Sequence, residues 1–177
     1  MNNRFIKLLI LLFLSFSSLS YACGDNPNAI IQGPFKDDSF QNGSICFQIT
    51  PDKRDINFFL NYTEGGEIHN VLVDTFYYSD APVELMSVFF APVNTKRHVV
   101  VLLRWNVNYL NNDLEYQYYY EVKAYEKVKG KGYVNNLNAN IDSTLSGYQV
   151  KRNGKVARYL LDDADKIKKY LKEKYIK

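Results

Sequence analysis

Apolar and polar residues alternate with period two over much of the chain, the spacing that sends successive side chains to opposite faces of a strand. Ile45, Phe47 and Ile49 share one such register, and Ile56, Phe58, Leu60 and Tyr62 share another, which predicts two strands with those residues inward. Cys46 falls on the opposite face of the first strand, where an N-terminal segment could cover it. Glu64-Gly65-Gly66-Glu67 reads as a hairpin turn, because glycine accepts the positive φ that short turns require. The strand that follows, Ile68 to Tyr78, has two partly apolar faces, Val71/Val73 and Leu72/Phe76, so its pattern leaves the buried side open. Pro82 and Pro92 bracket a strand from Val83 to Phe90, since proline cannot donate to a ladder.

The best-patterned pair comes next. Val99, Val101, Leu103, Trp105, Val107 and Tyr109 line one face of a long strand. Leu114, Tyr116, Tyr118, Tyr120, Val122 and Ala124 line one face of its antiparallel neighbour, and Asn111-Asn112-Asp113 forms the turn between them. From Lys127 to Gly147 the alternation gives way to Gly, Asn and Lys, which predicts a long surface loop with a short helical turn near Leu137 to Ile141. A second hairpin, Tyr148 to Arg152 and Lys155 to Leu160, turns at Asn153-Gly154, a dipeptide suited to a type I′ turn. Asp162 or Asp163 can cap a final helix to about Tyr175, with Ala164, Ile167, Tyr170, Leu171 and Tyr175 as its apolar stripe. Acidic residues at its start and lysines at its end suit the helix dipole. The expected fold is therefore mainly β (α+β): an antiparallel sheet or sandwich of about eight strands with a C-terminal helix.

Residues 1–22 read differently. Arg4 and Lys7 precede the apolar run Leu8 to Leu14 and a serine-rich stretch ending Ser20-Tyr21-Ala22, the layout of a secretory signal peptide cleaved before Cys23. Serines interrupt the apolar run before it reaches the roughly 18 residues a membrane span needs. Two domains of the sequence follow: a leader over 1–22 and a single β-rich domain over 23–177. Export places the chain in the periplasm, and there the two cysteines, Cys23 and Cys46, are expected to form a disulfide. Acylation of Cys23 in a lipoprotein is the competing reading, although Ser20 stands where such signals prefer leucine.

Charge is unevenly distributed. Between Cys23 and Val122 there are 6 basic and 13 acidic residues, whereas Lys123 to Lys177 holds 14 basic and 6 acidic ones. The two halves nearly cancel, so net charge gives no reason to expect a nucleic-acid partner. Catalytic signatures are also missing: there is no G-x-S-x-G elbow, and disulfide pairing leaves no cysteine nucleophile. His69 and His98, the two histidines, have no metal-ligand spacing and read as ordinary strand residues. Gly130-Lys131-Gly132 lacks the full phosphate-loop spacing and reads as a basic loop. No cofactor or metal is expected. Glu115 with Glu121, or Asp74 with Glu84, could form a hydrolase carboxylate pair, or could equally be charges alternating on a solvated sheet face.

Tyrosine is the unusual component, with 15 in the chain and three in a row at Tyr118-Tyr119-Tyr120. Alternation puts Tyr119 and Tyr125 on the face opposite the expected core set, and Tyr77 of the Tyr77-Tyr78 pair likewise outward. Exposed aromatics supply large contact area at low entropy cost, which suits protein interfaces, and they also stack on sugars. A second core layer that includes the terminal helix would instead cover them. Arg104 could be a neighbouring contact or an ion-pair partner.

A signal peptide, a small domain with a cysteine at its start and Cys46 to pair with, Arg104-Trp105 at a strand centre, Leu145-Ser146-Gly147-Tyr148 leading into the Asn153-Gly154 hairpin and a lysine-rich last helix together resemble small periplasmic immunity proteins. Those proteins accompany the toxic effectors of type VI secretion. The resemblance implies an inhibitor that binds a cognate toxin in the periplasm, with Tyr77, Arg104, Tyr119 and Tyr125 as candidate contacts from the residue reading. A module binding glycans or envelope ligands is the alternative, and a carboxylate hydrolase the third.

Overall fold

The computed structural model describes residues 23–175, so the expected leader, 1–22, lies outside the described residues. Ten strands form two antiparallel sheets. The first sheet has the order β1-β2-β3-β4, from β1 (Ile30–Lys36), β2 (Ser44–Ile49), β3 (Ile56–Glu64) and β4 (Glu67–Phe76). The second has the order β10-β9-β7-β6-β5, from β5 (Val83–Val93), β6 (Lys96–Asn111), β7 (Leu114–Val128), β9 (Ser146–Arg152) and β10 (Lys155–Ala157). β8 (Gly132–Asn135) pairs with the end of β7. A single turn, α1 (Leu137–Asn140), and the C-terminal helix α2 (Ala164–Tyr175) complete the chain.

The mainly β architecture with its terminal helix is as the pattern predicts, with β1 and β8 in addition. β8 comes from the stretch expected to be a loop. Tyr133 anchors it in the core, and Ala139 and Leu145 beyond it are also buried. β5 runs on through Pro92 to Val93, because it is an edge strand and one side of its backbone needs no partner. The Asn153 and Gly154 backbones are both left-handed, as a type I′ turn demands.

Two cores share the six-stranded sheet. Between the sheets, Ile45, Phe47, Phe58, Leu60 and Phe76 meet Val99, Val101, Leu103, Trp105 and Tyr125. Phe47 and Phe58 stack at 4.7 Å, and fully burying a side chain of this kind contributes about 1.5–3 kcal/mol. On the other face Val100, Leu102, Tyr120, Val122 and Ala124 pack beneath Leu161 and the helix residues Ile167 and Leu171. The apolar sets read from β6 and β7 thus line opposite faces of the sheet, since Val99 pairs with Tyr125 and Trp105 with Tyr119. β4 resolves its ambiguity by burying Phe76 inward and leaving Leu72 exposed. Outside the first sheet a third cluster joins Cys23, Cys46, Phe59 and Ile30, where the Cys23–Cys46 disulfide straps the N-terminal segment down. Its Cα atoms are 6.0 Å apart, an ordinary span for such a bond. With the Cys23 sulfur in that bond, acylation of the same atom is incompatible with it.

Three carboxylates anchor these layers, each holding a tyrosine hydroxyl and a cation. Asp37, fully buried, accepts from Arg97 and from the Tyr133 hydroxyl, linking the β1–β2 loop to β6 and β8. Asp74 on β4 accepts from the Tyr125 hydroxyl at 2.6 Å and lies 3.7 Å from the Lys123 ammonium on β7. Asp142 accepts from Tyr170 at 2.7 Å, Tyr175 at 2.9 Å and Lys174 at 2.8 Å, fixing the end of α2. Burial opposes ionisation of Asp142, but hydrogen bonds from Lys174, Tyr170, the Thr144 N–H and Tyr175 outweigh it and bring the carboxyl down to about 2.

Arg97→Met strands the buried Asp37 charge and should cost about 3–5 kcal/mol in urea unfolding. Lys36→Met, at an exposed pair, should stay within about 0.5 kcal/mol. Asp142 has a folded pKa below its unfolded value, so its contribution is present above about pH 4 and lost as pH falls toward 2. Wild type should therefore lose about 2 kcal/mol more than Asp142→Asn over that range, measured by denaturation at each pH.

Candidate functional site

β6 and β7 are the longest strands, and their hairpin continues past the cover of the first sheet. That cover ends at Phe76, after which the chain crosses above Trp105, whose indole N–H donates to the Tyr77 carbonyl at 3.1 Å. Beyond this crossing the inner face of the second sheet carries a strip of five aromatic rings. Trp105 lies 5.8 Å from Tyr119, Tyr119 lies 4.9 Å from Tyr148, and Tyr148 lies 5.1 Å from Tyr116. Tyr116 then stacks on Tyr109 at 4.4 Å with planes 5° apart.

Two register shifts build the strip. One lies between Asn106 and Tyr109 on β6, where Asn108 is left-handed with φ 41°, a conformation that asparagine tolerates better than most residues. The other lies between Tyr116 and Tyr118, where Gln117 is the extra residue opposite β9. Strict alternation would put Tyr116 on the helix side with Tyr118; the shift turns it inward to meet Tyr109 and Tyr148. Tyr148 and Tyr109 are 44% and 42% exposed, so the strip ends in solvent.

At the Trp105 end the strip opens into a cleft of about 200 Å3 lined by Thr75, Phe76, Tyr77, Leu103, Trp105, Glu121 and Lys123. Phe76 and Leu103 form its buried floor, Trp105 is 7% exposed, and Tyr77, 68% exposed, stands at the rim. Lys123 lies over the Phe76 ring at 5.5 Å and turns its charge toward Asp74.

The residues singled out in the sequence separate. Tyr77 is at the rim, and Tyr119 is a half-buried link in the strip. Tyr125 is not an outward contact: it is 1% exposed in the inter-sheet core, because the face opposite the helix is itself covered by the first sheet. Burial and then the Asp74 carboxylate raise its pKa far above the tyrosine range, so it remains a hydrogen-bond donor. Arg104 lies on the helix side, away from the strip, where its Nε donates to Glu84 at 3.1 Å and its guanidinium sits 4.6 Å from the Tyr118 ring. Of its two readings, the ion pair is the one found. Tyr109, Tyr116, Tyr148 and Trp105 complete the strip without having been picked out as contacts; an asparagine at position 108 within a strand was the available signal.

The proposed carboxylate pairs do not meet. Glu115, bonded to Lys151, and Glu84, bonded to Arg104, lie on the face opposite Glu121 and Asp74. His98 is buried, with Nδ1 2.8 Å from the Lys96 carbonyl and Nε2 2.9 Å from the Asn136 amide, and burial lowers its pKa. His69 stacks on Tyr62. Gly130-Lys131-Gly132 makes the turn from β7 into β8, so a strand and not a helix follows it directly. Among the described residues no three His, Cys, Asp or Glu side chains gather as metal ligands, and no helix is long and apolar enough to cross a membrane.

Tyr125→Phe removes a donor from Asp74 and should cost about 1–3 kcal/mol, whereas Tyr109→Phe should change stability by less than about 0.5 kcal/mol. Urea midpoints of the two variants measure the difference between a core tyrosine and a strip tyrosine.

The chain matches no protein-family model, no curated protein and no solved structure.

Proposed function

We propose that this domain is a periplasmic inhibitor of the immunity type, which docks its inner-face tyrosine strip on a secreted toxin and changes no bonds itself. The observation that carries this reading is the strip from Trp105 to Tyr109, an aromatic surface on a sheet whose outer rings, Tyr109 and Tyr148, are exposed among the described residues. Tyrosines of this kind are the residues that dominate protein interfaces, because each fixes only two side-chain torsions for a large contact area. The ring geometry favours a protein over a sugar. Tyr109 and Tyr116 each lose one face to the other, and Tyr148 stands at 88–90° to both, so the rings do not form one flat platform. Sugar stacking needs open ring faces.

The disulfide is compatible with an oxidising compartment, and the 1–22 leader would deliver the chain there. Secretion through a type VI apparatus by the partner rests on the resemblance of the overall layout to immunity proteins.

The test is co-expression of the full chain with a periplasmically directed toxin encoded by the adjacent gene. Survival and a one-to-one complex are expected, with Tyr148→Ala and Tyr109→Ala each weakening the complex at least about tenfold at a temperature where circular dichroism shows both variants fully folded. Protection by a chain lacking residues 1–22, protection that survives loss of both tyrosines, or steady turnover of a substrate by the purified protein would overturn the proposal.

A further inference from the structure

Carboxylates that are not exposed follow one rule in this protein. Asp37, Asp74 and Asp142 each hold a tyrosine hydroxyl and a cation, Glu84 holds Arg104, Glu115 holds Lys151, and Asp162 holds Lys166. Glu126 lies beside Lys96 and His98, and Asp55 accepts from the Tyr78 N–H. Glu121 is the exception. It is half-buried, and among the described residues it alone of this set has neither a hydrogen bond nor an ion pair. Neither of its carboxylate oxygens is shut off from water, so the charge is open to a partner that reaches the cleft.

The cleft indicates the chemistry of such a partner. Glu121 and Lys123 are the charged residues in its lining, and Lys123 is turned to Asp74, outside it. One negative charge is left over. Around it stand Trp105, Phe76 and Tyr77, and aromatic faces attract cations within about 6 Å. At about 200 Å3 the cleft is below the roughly 300 Å3 at which sites for free small molecules begin, but it exceeds several waters of about 30 Å3 each. It therefore has room for one side chain projecting from a larger partner.

We infer that this cleft receives a basic side chain of the docked protein, with Glu121 taking its charge and Trp105 and Tyr77 flanking it. The inference rests on the inhibitor reading and gives the partner a chemistry. Arginine fits better than lysine: its planar guanidinium can stack on an indole and meet a carboxylate edge-on at once, and it is less strongly hydrated. Desolvated arginines beside tryptophan and tyrosine are the usual centres of protein interfaces. The tyrosine strip then supplies the surrounding contact area, with the cleft as its anchor.

Trp105 is the chain's one tryptophan, so its fluorescence reports the cleft directly. The full mature protein is titrated with N-acetyl-arginine methylamide and with its neutral isostere, N-acetyl-citrulline methylamide. The arginine probe should saturate the Trp105 signal in the millimolar range. Citrulline should be weaker by about tenfold or more, and Glu121→Gln should lose the arginine response to a similar extent with an unchanged unfolding midpoint. Equal responses to the two probes, an unaltered response in Glu121→Gln, or no response at all would overturn the inference. Any of these would leave the tyrosine strip to its own substitutions. Partner binding that ignores Tyr148→Ala while the arginine response depends on Glu121 would instead remove the inhibitor reading and retain the cation site.

Discussion

A sheet that is apolar on both faces must be covered on both, and this demand on β6 and β7 organises the whole molecule. Val99, Val101 and Leu103 point one way and Val100 and Leu102 the other, all of them buried. The first sheet covers one side and α2, with the segment before it, covers the other. Neither cover is as long as the β6–β7 hairpin. The tyrosine strip is therefore not an added feature; it is the part of the inner face that remains where the first sheet stops, and the cleft is the step at the boundary.

The same demand accounts for the tyrosine content. Tyr133 and Tyr125 bury their rings in a core, Tyr170 and Tyr175 pack theirs against one, and each offers a hydroxyl to a carboxylate at the margin of a cover. Phenylalanine would satisfy the packing and leave Asp37, Asp74 or Asp142 short of a donor; a smaller polar residue would satisfy the carboxylate and leave a void. Tyrosine meets both needs at once. Tyr109, Tyr116 and Tyr148, past the covers, hold no carboxylate among the described residues. High tyrosine content in the sequence thus had two causes, and composition alone could not separate them.

What could be read from the chain follows from the range of each interaction. Period-two patterning and glycine or asparagine turns are local, so the inward sets Ile45/Phe47 and Phe58/Leu60, the Gly65-Gly66 and Asn153-Gly154 turns and the capped last helix were all legible. Which face of a strand is outside is a tertiary property. The Tyr118 to Ala124 register was correctly seen as buried, yet its opposite face was buried too, which is why Tyr125 was misplaced outward. β8 escaped because four residues give too short a pattern, and its anchor, Tyr133, is held by an aspartate 96 positions away. Of the site, Tyr77 and Tyr119 were visible as contacts and Glu121 only as a candidate hydrolase carboxylate, whereas the meeting of Tyr109 with Tyr116 was not, since it depends on two irregularities in one hairpin.

Those irregularities decide how the surface works. Asn108 and Gln117 each shift the register locally, and both lie at the point where the first sheet ceases to cover the second. Their effect is to keep Tyr109 and Tyr116 on the inner face over a stretch where a regular ladder would have sent Tyr116 to the helix side and parted it from its partner. The strip is consequently fixed by backbone hydrogen bonds in β6, β7 and β9 and not by loop conformation. On the proposed reading a partner would order few side chains here, because Tyr116 is already packed on Tyr109 and on Tyr148, and association would retain more of its gross contact energy. A sheet face held this way gives up adaptability: it can fit one complementary surface well and cannot remodel for many, and on the proposed reading that is what an inhibitor with a single target would require.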